Sequence, residues 1–230
     1  MDLVKIIDEA ILNQAPDEHR RYIGASSIGN DCGRSIWLSY NGVKGKPWTA
    51  KQRRTLEIGK RLEDMMLDYI ELAGFKITRP EKGSNGIPCQ DDEVPIFRGN
   101  MDGLLHLTDT HVVVLEIKTA KASEYKKFVD VGLKSWKPTY YAQLQSYMGM
   151  KKLKNAVIFV LNKDSSEWHC EWVEYDDIYF HELRVKALAI STVDDEPKKI
   201  NENASYWICQ MCKFKDVCHK PGEVIERAVA

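Results

Sequence analysis

The chain has 230 residues, of which 43% are hydrophobic and 29% are charged, a composition typical of a globular protein that is large enough to bury a core. Its 33 Lys and Arg residues against 34 Asp and Glu give a formal net charge of −1. This balance excludes a protein that coats nucleic acid through overall positive charge, so any contact with DNA must come from a local basic patch.

The sequence also indicates where the protein works. No stretch approaches the ~20 apolar residues that cross a bilayer, and the acidic residues near the N-terminus are not those of a secretory signal. We therefore expect a protein without a membrane partner, located in the cytoplasm, or in the host cytoplasm if a phage encodes it. Because structural disulfides are rare there, the six cysteines are expected to be metal ligands or buried thiols.

Apolar periodicity and Gly/Pro punctuation predict the elements in chain order. Residues 3–12 form a helix, Ser26 or Ser27 caps a short helix that runs towards Tyr40, and residues 51–72 form a long amphipathic helix. The inner side of that long helix carries Leu56, Leu62, Met66 and Ile70. The segments that follow are strands at 75–78, 94–98, 100–107 and 111–118, a helix at 138–150, strands at 156–161 and 168–173, and a helix at 176–193. This order predicts an α/β fold with a central mixed sheet flanked by helices.

Residues 98–118 are the most informative segment. They predict two strands joined by a tight turn around Asp109, and a hairpin centred there places Asp102 opposite Glu116, with Cβ atoms ~5 Å apart. Lys118 follows two residues later and projects from the same face. Two carboxylates this close repel each other unless a divalent cation lies between them.

The neighbouring residues separate two interpretations of this segment. Leu115 and Ile117 point away from the charged face and into the core, and the apolar run at 112–115 is typical of a buried central strand that ends at a cleft. A surface hairpin with solvated charges is the alternative. The apolar run favours the cleft.

Two helical pairs, each four residues apart, add polar groups to apolar faces. Gly59 is expected to allow the long helix a close approach, and Glu63 supplies a third carboxylate, unless it is a boundary residue paired with Arg. Gln143 and Tyr147 share a face with Leu144, where the glutamine must find hydrogen-bond partners. Considered without Gln143, Tyr147 would be interpreted as an ordinary core residue.

Taken in chain order, these residues resemble the motifs of the RecB-like PD-(D/E)XK nucleases. The matching residues are Gly59-x-x-x-Glu63, Gly99-x-x-Asp102, Glu116-x-Lys118 and Gln143-x-x-x-Tyr147. Two positions depart from the family pattern. Glu63 stands where many members carry His, and Met101 stands where the family name has Pro.

The resemblance implies a restriction-endonuclease-like core and a role for each motif residue. Asp102, Glu116 and the Ile117 carbonyl would hold one or two Mg²⁺ or Mn²⁺ ions, with help from Glu63. Lys118 would orient or deprotonate the attacking water and stabilise charge at the phosphate. The residues that would position the scissile strand are Gln143 and Tyr147.

Three cysteines near the C-terminus form a C-x2-C-x5-C pattern, Cys209, Cys212 and Cys218, and Cys32 lies far upstream. Thiolates at this spacing suit zinc and iron–sulfur equally well. With the nuclease motifs between them, the four cysteines resemble the staple of the Cas-four nucleases and of the AddB nuclease domain. That resemblance implies a 4Fe–4S cluster that joins the N- and C-terminal segments.

Together these patterns predict one nuclease domain over residues 1–230, with its catalytic motifs within 51–150 and cluster-binding segments at 26–40 and 205–220. The expected activity is that of a metal-dependent DNA exonuclease in recombination or repair, phage DNA processing or CRISPR adaptation. A structure-specific endonuclease and a non-catalytic DNA-binding or scaffold protein are the alternatives. The intact Asp102, Glu116 and Lys118 disfavour the scaffold.

Two basic segments indicate how DNA would be bound. Residues 44–61 carry seven Lys or Arg against one acid, and residues 118–137 carry six Lys against two acids. Aromatic residues lie among them, and Trp48 and Trp136 are candidates for stacking on bases. Because the sequence has no ATP-binding phosphate loop, it predicts single-stranded DNA ends as the substrate, with a helicase or a recombination or CRISPR protein as a possible partner.

Overall fold

The computed structural model describes residues 1–14 and 21–220, which fall into two units. The sheet unit comprises residues 23–29 and 59–189. The cysteine unit comprises the described parts of residues 1–22, 30–58 and 190–230. Across the described ranges, the helices all lack the combination of length and apolarity that a membrane span requires.

The helices and strands follow the predicted α/β order closely. The helices are α1 (Leu3–Leu12), α2 (Ala25–Ile28), α3 (Gly33–Tyr40), α4 (Ala50–Leu72), α5 (Ala122–Trp136), α6 (Pro138–Lys151), α7 (Asp177–Thr192), α8 (Trp207–Met211) and α9 (Lys215–His219). The strands are β1 (Ile23–Gly24), β2 (Lys76–Thr78), β3 (Ile87–Gln90), β4 (Phe97–Met101), β5 (Gly103–His106), β6 (Val112–Ala120), β7 (Asn155–Asn162) and β8 (Trp168–Glu174).

Two sheets organise the sheet unit. The larger has the strand order β2-β5-β6-β7-β8, and only its β6–β7 pair is parallel. The smaller has the order β1-β4-β3. A central mixed sheet with helices packed against it is therefore present, and the predicted fold class is confirmed at this level.

The core of the sheet unit explains which residues of β6 face the site. Leu115 and Ile117 are buried in one cluster with Met66 and Ile70 of α4. Because side chains alternate along a strand, Glu116 and Lys118 project from the opposite face of β6. The predicted orientation of this strand is confirmed.

The prediction for Leu56 is wrong. Its side chain is 56% exposed, whereas Met66 and Ile70 are buried and Leu62 packs against the same core. The α4 residues that pack in this core begin at Leu62, and Leu56 lies more than one helical turn before it.

The short helix expected from Ser26 or Ser27 to Tyr40 is in fact two helices, α2 and α3. Their N-cap residues are Gly24 and Cys32, and neither makes a side-chain capping bond. The Ser27 hydroxyl instead donates to the Gly24 carbonyl at 2.9 Å. A serine that bonds back to the preceding turn is not available to cap the helix.

The predicted strands at 94–98 and 100–107 also need correction. Val94 lies in a turn before β4, because the Asp91 carboxylate accepts hydrogen bonds from the amides of Glu93 and Val94 at 3.1 and 2.7 Å. The second segment is broken at Asp102, where the chain passes from β4 in the small sheet to β5 in the large one. The sequence prediction missed β3 and α5.

Candidate active site

Asp102 lies between two sheets, and the register of one of them fixes its position. Gly103 of β5 pairs with Leu115 of β6, so one further step along the strands brings Asp102 opposite Glu116. This is the predicted register. The Asp102 carboxylate is held by a hydrogen bond that its Oδ2 accepts from the Ile117 amide at 2.8 Å.

Lys118 joins the two carboxylates. Its Nζ donates to Glu116 Oε1 and lies 3.7 Å from Asp102 Oδ2. It also donates to the Ile117 carbonyl at 3.3 Å and lies 5.4 Å from the centre of the Tyr140 ring. The structure thus brings Asp102, Glu116, Ile117 and Lys118 together.

Burial sets the electrostatics of this group. Glu116 is fully buried, and burial together with the negative charge of Asp102 raises its pKa to about 8, although Lys118 opposes that shift. Burial and the charge of Asp102 likewise raise the pKa of Glu63 to about 7. The influence of Asp102 and Lys118 on Glu63 shows that α4 brings this third carboxylate to the same site.

Lys118 compensates part of this negative charge. Burial alone would lower the pKa of its ammonium group, but Asp102 and Glu116 outweigh burial and raise that pKa well above its ordinary value. If all three carboxylates were ionised, one ammonium group would leave an excess of negative charge in a desolvated place, which is consistent with the raised pKa values of Glu116 and Glu63.

The donor set fits a divalent cation. Glu116 Oε2 is buried and has no hydrogen-bond partner among the residues described, and a buried carboxylate oxygen without a partner is costly. Carboxylate and carbonyl oxygens are the ligands that Mg²⁺ and Mn²⁺ prefer. Within residues 1–14 and 21–220, no three His, Cys, Asp or Glu side chains already stand in metal-binding geometry, so the carboxylates must turn to take up an ion.

Gln143 and Tyr147 lie beside this group on α6. Gln143 Nε2 donates to the Tyr147 hydroxyl at 2.8 Å, and that hydroxyl donates to the Asn100 carbonyl at 2.6 Å. Burial raises the pKa of Tyr147 well above its ordinary value, the charges of Glu116 and Asp102 add to that shift, and the charge of Lys118 opposes it. The pair therefore connects α6 to β4, two residues before Asp102.

The two motif glycines behave differently. A Cβ on Gly99 would overlap the Tyr147 ring and lie 2.9 Å from the Ala25 Cβ, so only glycine fits between them. A Cβ on Gly59 would have no atom within 4 Å. The expected close approach of α4 at Gly59 is therefore wrong. The Asn100 carbonyl was missed, because a main-chain acceptor leaves no signal in the sequence.

The cysteine unit places the four pattern cysteines within electrostatic reach of one another. Burial raises the pKa of Cys212, and the charges of Cys32 and Cys209 add to the shift. Burial likewise raises the pKa of Cys218, with contributions from Cys32 and Cys212. All four are free thiols. Four neighbouring thiols would suit zinc or an iron–sulfur cluster, but among the described residues no group of His, Cys, Asp or Glu side chains has metal-binding geometry.

Comparison with known proteins places these observations in a family. The model of the YqaJ-like viral recombinase domain matches residues 17–152, which is more than half of the chain and includes every proposed catalytic residue. No curated protein matches the sequence significantly.

Solved structures share the fold at low sequence identity. LHK-Exo, an alkaline exonuclease from Laribacter hongkongensis, is 17% identical with a TM-score of 0.55, over 75% of this chain and 87% of that one. Its complex with dAMP matches at 18% identity and a TM-score of 0.51 over the same shares, 75% and 87%. The protein SSO0001 is 14% identical with a TM-score of 0.58, over 94% of this chain and 95% of that one.

Proposed function

The chain belongs to the family of YqaJ-like viral recombinase domains, and from this premise we propose that it is a metal-dependent DNA exonuclease. The observation that carries the proposal is the buried Glu116, whose Oε2 has no partner among the described residues, beside Asp102 and Lys118. The shared fold with an alkaline exonuclease supports it. We further propose that it acts in phage DNA processing or recombination, in the cytoplasm that contains the DNA.

The proposed metal ligands are Asp102, Glu116 and the Ile117 carbonyl, with Glu63 assisting, and the ions are one or two Mg²⁺ or Mn²⁺. Such an ion lowers the pKa of bound water and offsets negative charge on the phosphate in the transition state. The Ile117 peptide contributes to the site through both of its polar groups. Its amide donates to the Asp102 carboxylate at 2.8 Å, and its carbonyl, a proposed metal ligand, accepts a hydrogen bond from Lys118.

The remaining residues position the reactants. Lys118 orients the attacking water, and its positive charge stabilises the phosphate. Because Asp102 and Glu116 raise its pKa and keep it an ammonium group, it donates hydrogen bonds and does not take up the proton of the water. Tyr140 supports the Lys118 ammonium from one side, with 5.4 Å between Nζ and the ring centre. Gln143 and Tyr147 position the scissile strand, and their bonds to each other and to the Asn100 carbonyl keep them in place.

Cleavage of end-labelled DNA with Mg²⁺ or Mn²⁺ tests this proposal. Asp102→Ala and Glu116→Ala should abolish cleavage while much of the DNA binding remains, and Lys118→Ala should abolish it without removing metal. Parental cleavage by Glu116→Ala would refute the assignment. Failure of the parent protein to cleave any DNA, with binding intact, would instead favour the scaffold.

We also propose that single-stranded ends are the substrate. Around α5 and α6, Trp136 packs on Phe128 with ring centres 5.2 Å apart and on Tyr140 at 5.7 Å, and Tyr140 in turn contacts Lys118. Trp136 and Tyr140 are partly exposed, so with the lysines nearby they suit bases that stack while phosphates bind lysine, whereas Phe128 is buried and only supports the Trp136 ring. Trp48, in the other basic segment, is 38% exposed and is the second candidate platform.

Binding and cleavage assays separate the possible substrates. Affinity for a single strand should fall steeply with salt, and Trp136→Leu or Trp48→Leu should weaken binding roughly ten-fold if the residue stacks on a base, since stacking contributes ~1–3 kcal/mol. Blunt duplexes should be poor substrates. Rapid cutting of a closed single-stranded circle would contradict the exonuclease and favour the endonuclease.

For the four cysteines we propose a 4Fe–4S cluster that joins the segments containing Cys32 and Cys209, Cys212 and Cys218. The support is that Cys32 and Cys209 are near enough to Cys212, and Cys32 and Cys212 near enough to Cys218, to raise the pKa of those thiols, together with the resemblance of their pattern to that of the Cas-four and AddB nucleases. Protein purified without oxygen should be brown and contain iron and sulfide in near-equal amounts. Zinc without iron in such a preparation would refute the cluster.

A further inference from the structure

Two acidic side chains interrupt the basic segment at residues 118–137, and their surroundings differ. Asp130 pairs with Lys126 one turn away on α5, at 3.0 Å, and both side chains are largely exposed. Such pairs are common on helix surfaces. Glu124 is only 26% exposed and contacts residues at the far end of α5. Because an acid repels the phosphates of DNA, a carboxylate held inside this segment requires another explanation.

The Glu124 carboxylate holds two neighbouring side chains. Its Oε2 accepts a hydrogen bond from Trp136 Nε1 at 3.1 Å and lies 3.3 Å from Lys137 Nζ. These two contacts, the indole first, lower the pKa of Glu124 to about 2, and Lys127 adds a longer contact to Oε1 at 3.4 Å. Glu124 therefore stays ionised and keeps the indole and the ammonium group side by side.

A break in α5 makes the contact between Glu124 and Trp136 possible. In a straight helix, residues 12 positions apart would have Cα atoms about 18 Å apart, farther than the two side chains reach. Gly132 interrupts α5 with φ 73° and ψ 168°, a conformation that favours glycine, and the Leu133 amide donates to Glu171 Oε2 at 2.7 Å. The chain thereby turns back and brings Trp136 to Glu124.

The indole that Glu124 holds is partly exposed and lies near the carboxylate site. Phe128 and Tyr140 contact it at interplanar angles of 47° and 73°, so neither ring stacks parallel to it. Tyr140 in turn lies 5.4 Å from Lys118 Nζ. Lys137 Nζ lies 5.8 Å from the centre of the indole, on a side chain that is 41% exposed and free to turn to a phosphate. A ring for a base and an ammonium group for a phosphate thus stand together.

We propose that Glu124 is a positioning residue for the DNA strand, which holds the Trp136 indole for one base and Lys137 for the phosphate of the same nucleotide. The inference rests on the exonuclease function proposed above and adds a nucleotide site close to the scissile bond. It reverses the effect expected of an acid. Loss of Glu124 removes a negative charge and so favours contact with phosphates, but it also releases the indole, so a strand with bases should bind more weakly.

Binding of single strands in EDTA tests this role, with one oligonucleotide that carries bases and an abasic one of the same length. Glu124→Ala should weaken binding of the first roughly ten-fold, the contribution of one stacked base, and should leave the abasic strand bound at least as tightly as by the parent. Glu124→Gln keeps an oxygen that accepts from Trp136 Nε1, so its affinity should be parental. Asp130→Ala removes the other acid of the segment and should weaken neither strand.

Two results of this assay would overturn the proposal. An equal loss of both strands with Glu124→Ala would mean that the substitution disturbs the surface as a whole. A Glu124→Gln protein as weak as Glu124→Ala would mean that the bond to the indole is not what matters. Unfolding curves verify that each variant folds.

A double-mutant cycle tests whether Glu124 acts through the indole. Trp136→Phe keeps an aromatic ring but has no N–H to donate, so adding Glu124→Ala should cause no further loss of affinity. A ten-fold loss in that background as well would refute the proposed mechanism. Lys137→Gln should lower the slope of affinity against salt by about 1, as expected for one phosphate contact, and an unchanged slope would remove Lys137 from the site.

Cleavage with Mg²⁺, measured separately, distinguishes this inference from the proposed function. A parent protein that cleaves no DNA but shows the Glu124 pattern in binding would refute the exonuclease and keep the nucleotide site. Normal cleavage by a parent whose binding does not depend on Glu124 would refute the nucleotide site alone.

Discussion

Asp102, Glu116 and Lys118 are held by a strand register, whereas Cys209, Cys212 and Cys218 lie on two five-residue helices, α8 and α9, and the turn between them. In the sheet unit, β6 is buried along most of its length and pairs with β5 on one side and β7 on the other. In the cysteine unit, neither α8 nor α9 has a side-chain cap.

The two sites differ in what holds their side chains in position. Backbone pairing and core packing hold the carboxylates in position. The sheet unit can therefore arrange them before any ion binds, although burying their charge has a cost in desolvation. Five-residue helices are too short to be stable alone, so the proposed metal at these thiols would supply the energy for their final arrangement. We therefore expect metal to control chemistry at the first site and stability at the second.

Glu116→Gln provides the largest expected effect. It keeps the shape of the side chain but removes the charge proposed to bind the metal, so cleavage should fall by on the order of 10³-fold. Without divalent ions the variant should be at least as stable as the parent, because burial and Asp102 disfavour the Glu116 charge. Cleavage rates and thermal unfolding in EDTA measure the two effects.

Asp109→Asn is the matched control for this change, since Asp109 is exposed at the turn of the same hairpin. It should leave both cleavage and stability near the parental values. If Glu116→Gln cleaved normally, or if it unfolded far more easily than the parent in EDTA, metal would not control chemistry rather than stability at the carboxylate site.

Cys212→Ser should have the opposite effects from Glu116→Gln, with a large loss of stability and a small loss of cleavage. Loss of a ligand should release the metal and lower the free energy of unfolding by roughly 4 kcal/mol or more, which for a chain of this size lowers Tm by about 10 °C. Cleavage at low temperature should fall less than about ten-fold. Cys170→Ser, outside the cysteine pattern, is the control and should retain the metal. A Cys212→Ser protein with unchanged Tm and metal content would show that the thiols are not ligands.

Gly99→Ala tests how packing holds the carboxylate site. The added methyl group would overlap the Tyr147 ring and approach the Ala25 Cβ, and overpacking of this kind costs ~1–3 kcal/mol. Because Tyr147 bonds the Asn100 carbonyl at 2.6 Å, its displacement should also slow cleavage. Urea unfolding and cleavage rates measure both. An unchanged stability would mean that the ring does not rest on Gly99.

The sequence predicts those features of the site that depend only on neighbouring residues in the chain. The turn at Asp109 and the alternation along 112–118 determine the register that brings Asp102 opposite Glu116, and both can be derived from a short stretch of sequence. The break at Asp102 could not be predicted, since it depends on β4 and β5 joining different sheets. The turn at Val94 was missed for a related reason, because it depends on the side chain of Asp91.

The same distinction applies to the helices. Met66 and Ile70 are buried and the partly buried Leu62 packs against them, whereas Leu56, earlier on the same helix, is exposed, which shows that an apolar residue in an amphipathic pattern need not be buried. The roles of the motif residues and the binding of a metal by the cysteines rest on family resemblance, and they stay predictions until the variants above are measured.

Gly59→Ala should give the smallest effect, with the opposite sign from Gly99→Ala. No described atom lies within 4 Å of the added methyl group, and alanine is favoured over glycine inside a helix by ~0.5–1 kcal/mol. The free energy of unfolding should therefore rise by about that amount, as measured by urea unfolding. Because Gly59 is one turn from Glu63 on α4, cleavage is the second measurement. Unchanged cleavage would show that glycine is dispensable at this motif position. Slower cleavage by a more stable protein would mean that the DNA strand itself approaches Gly59, which would assign this glycine to the substrate rather than to the fold.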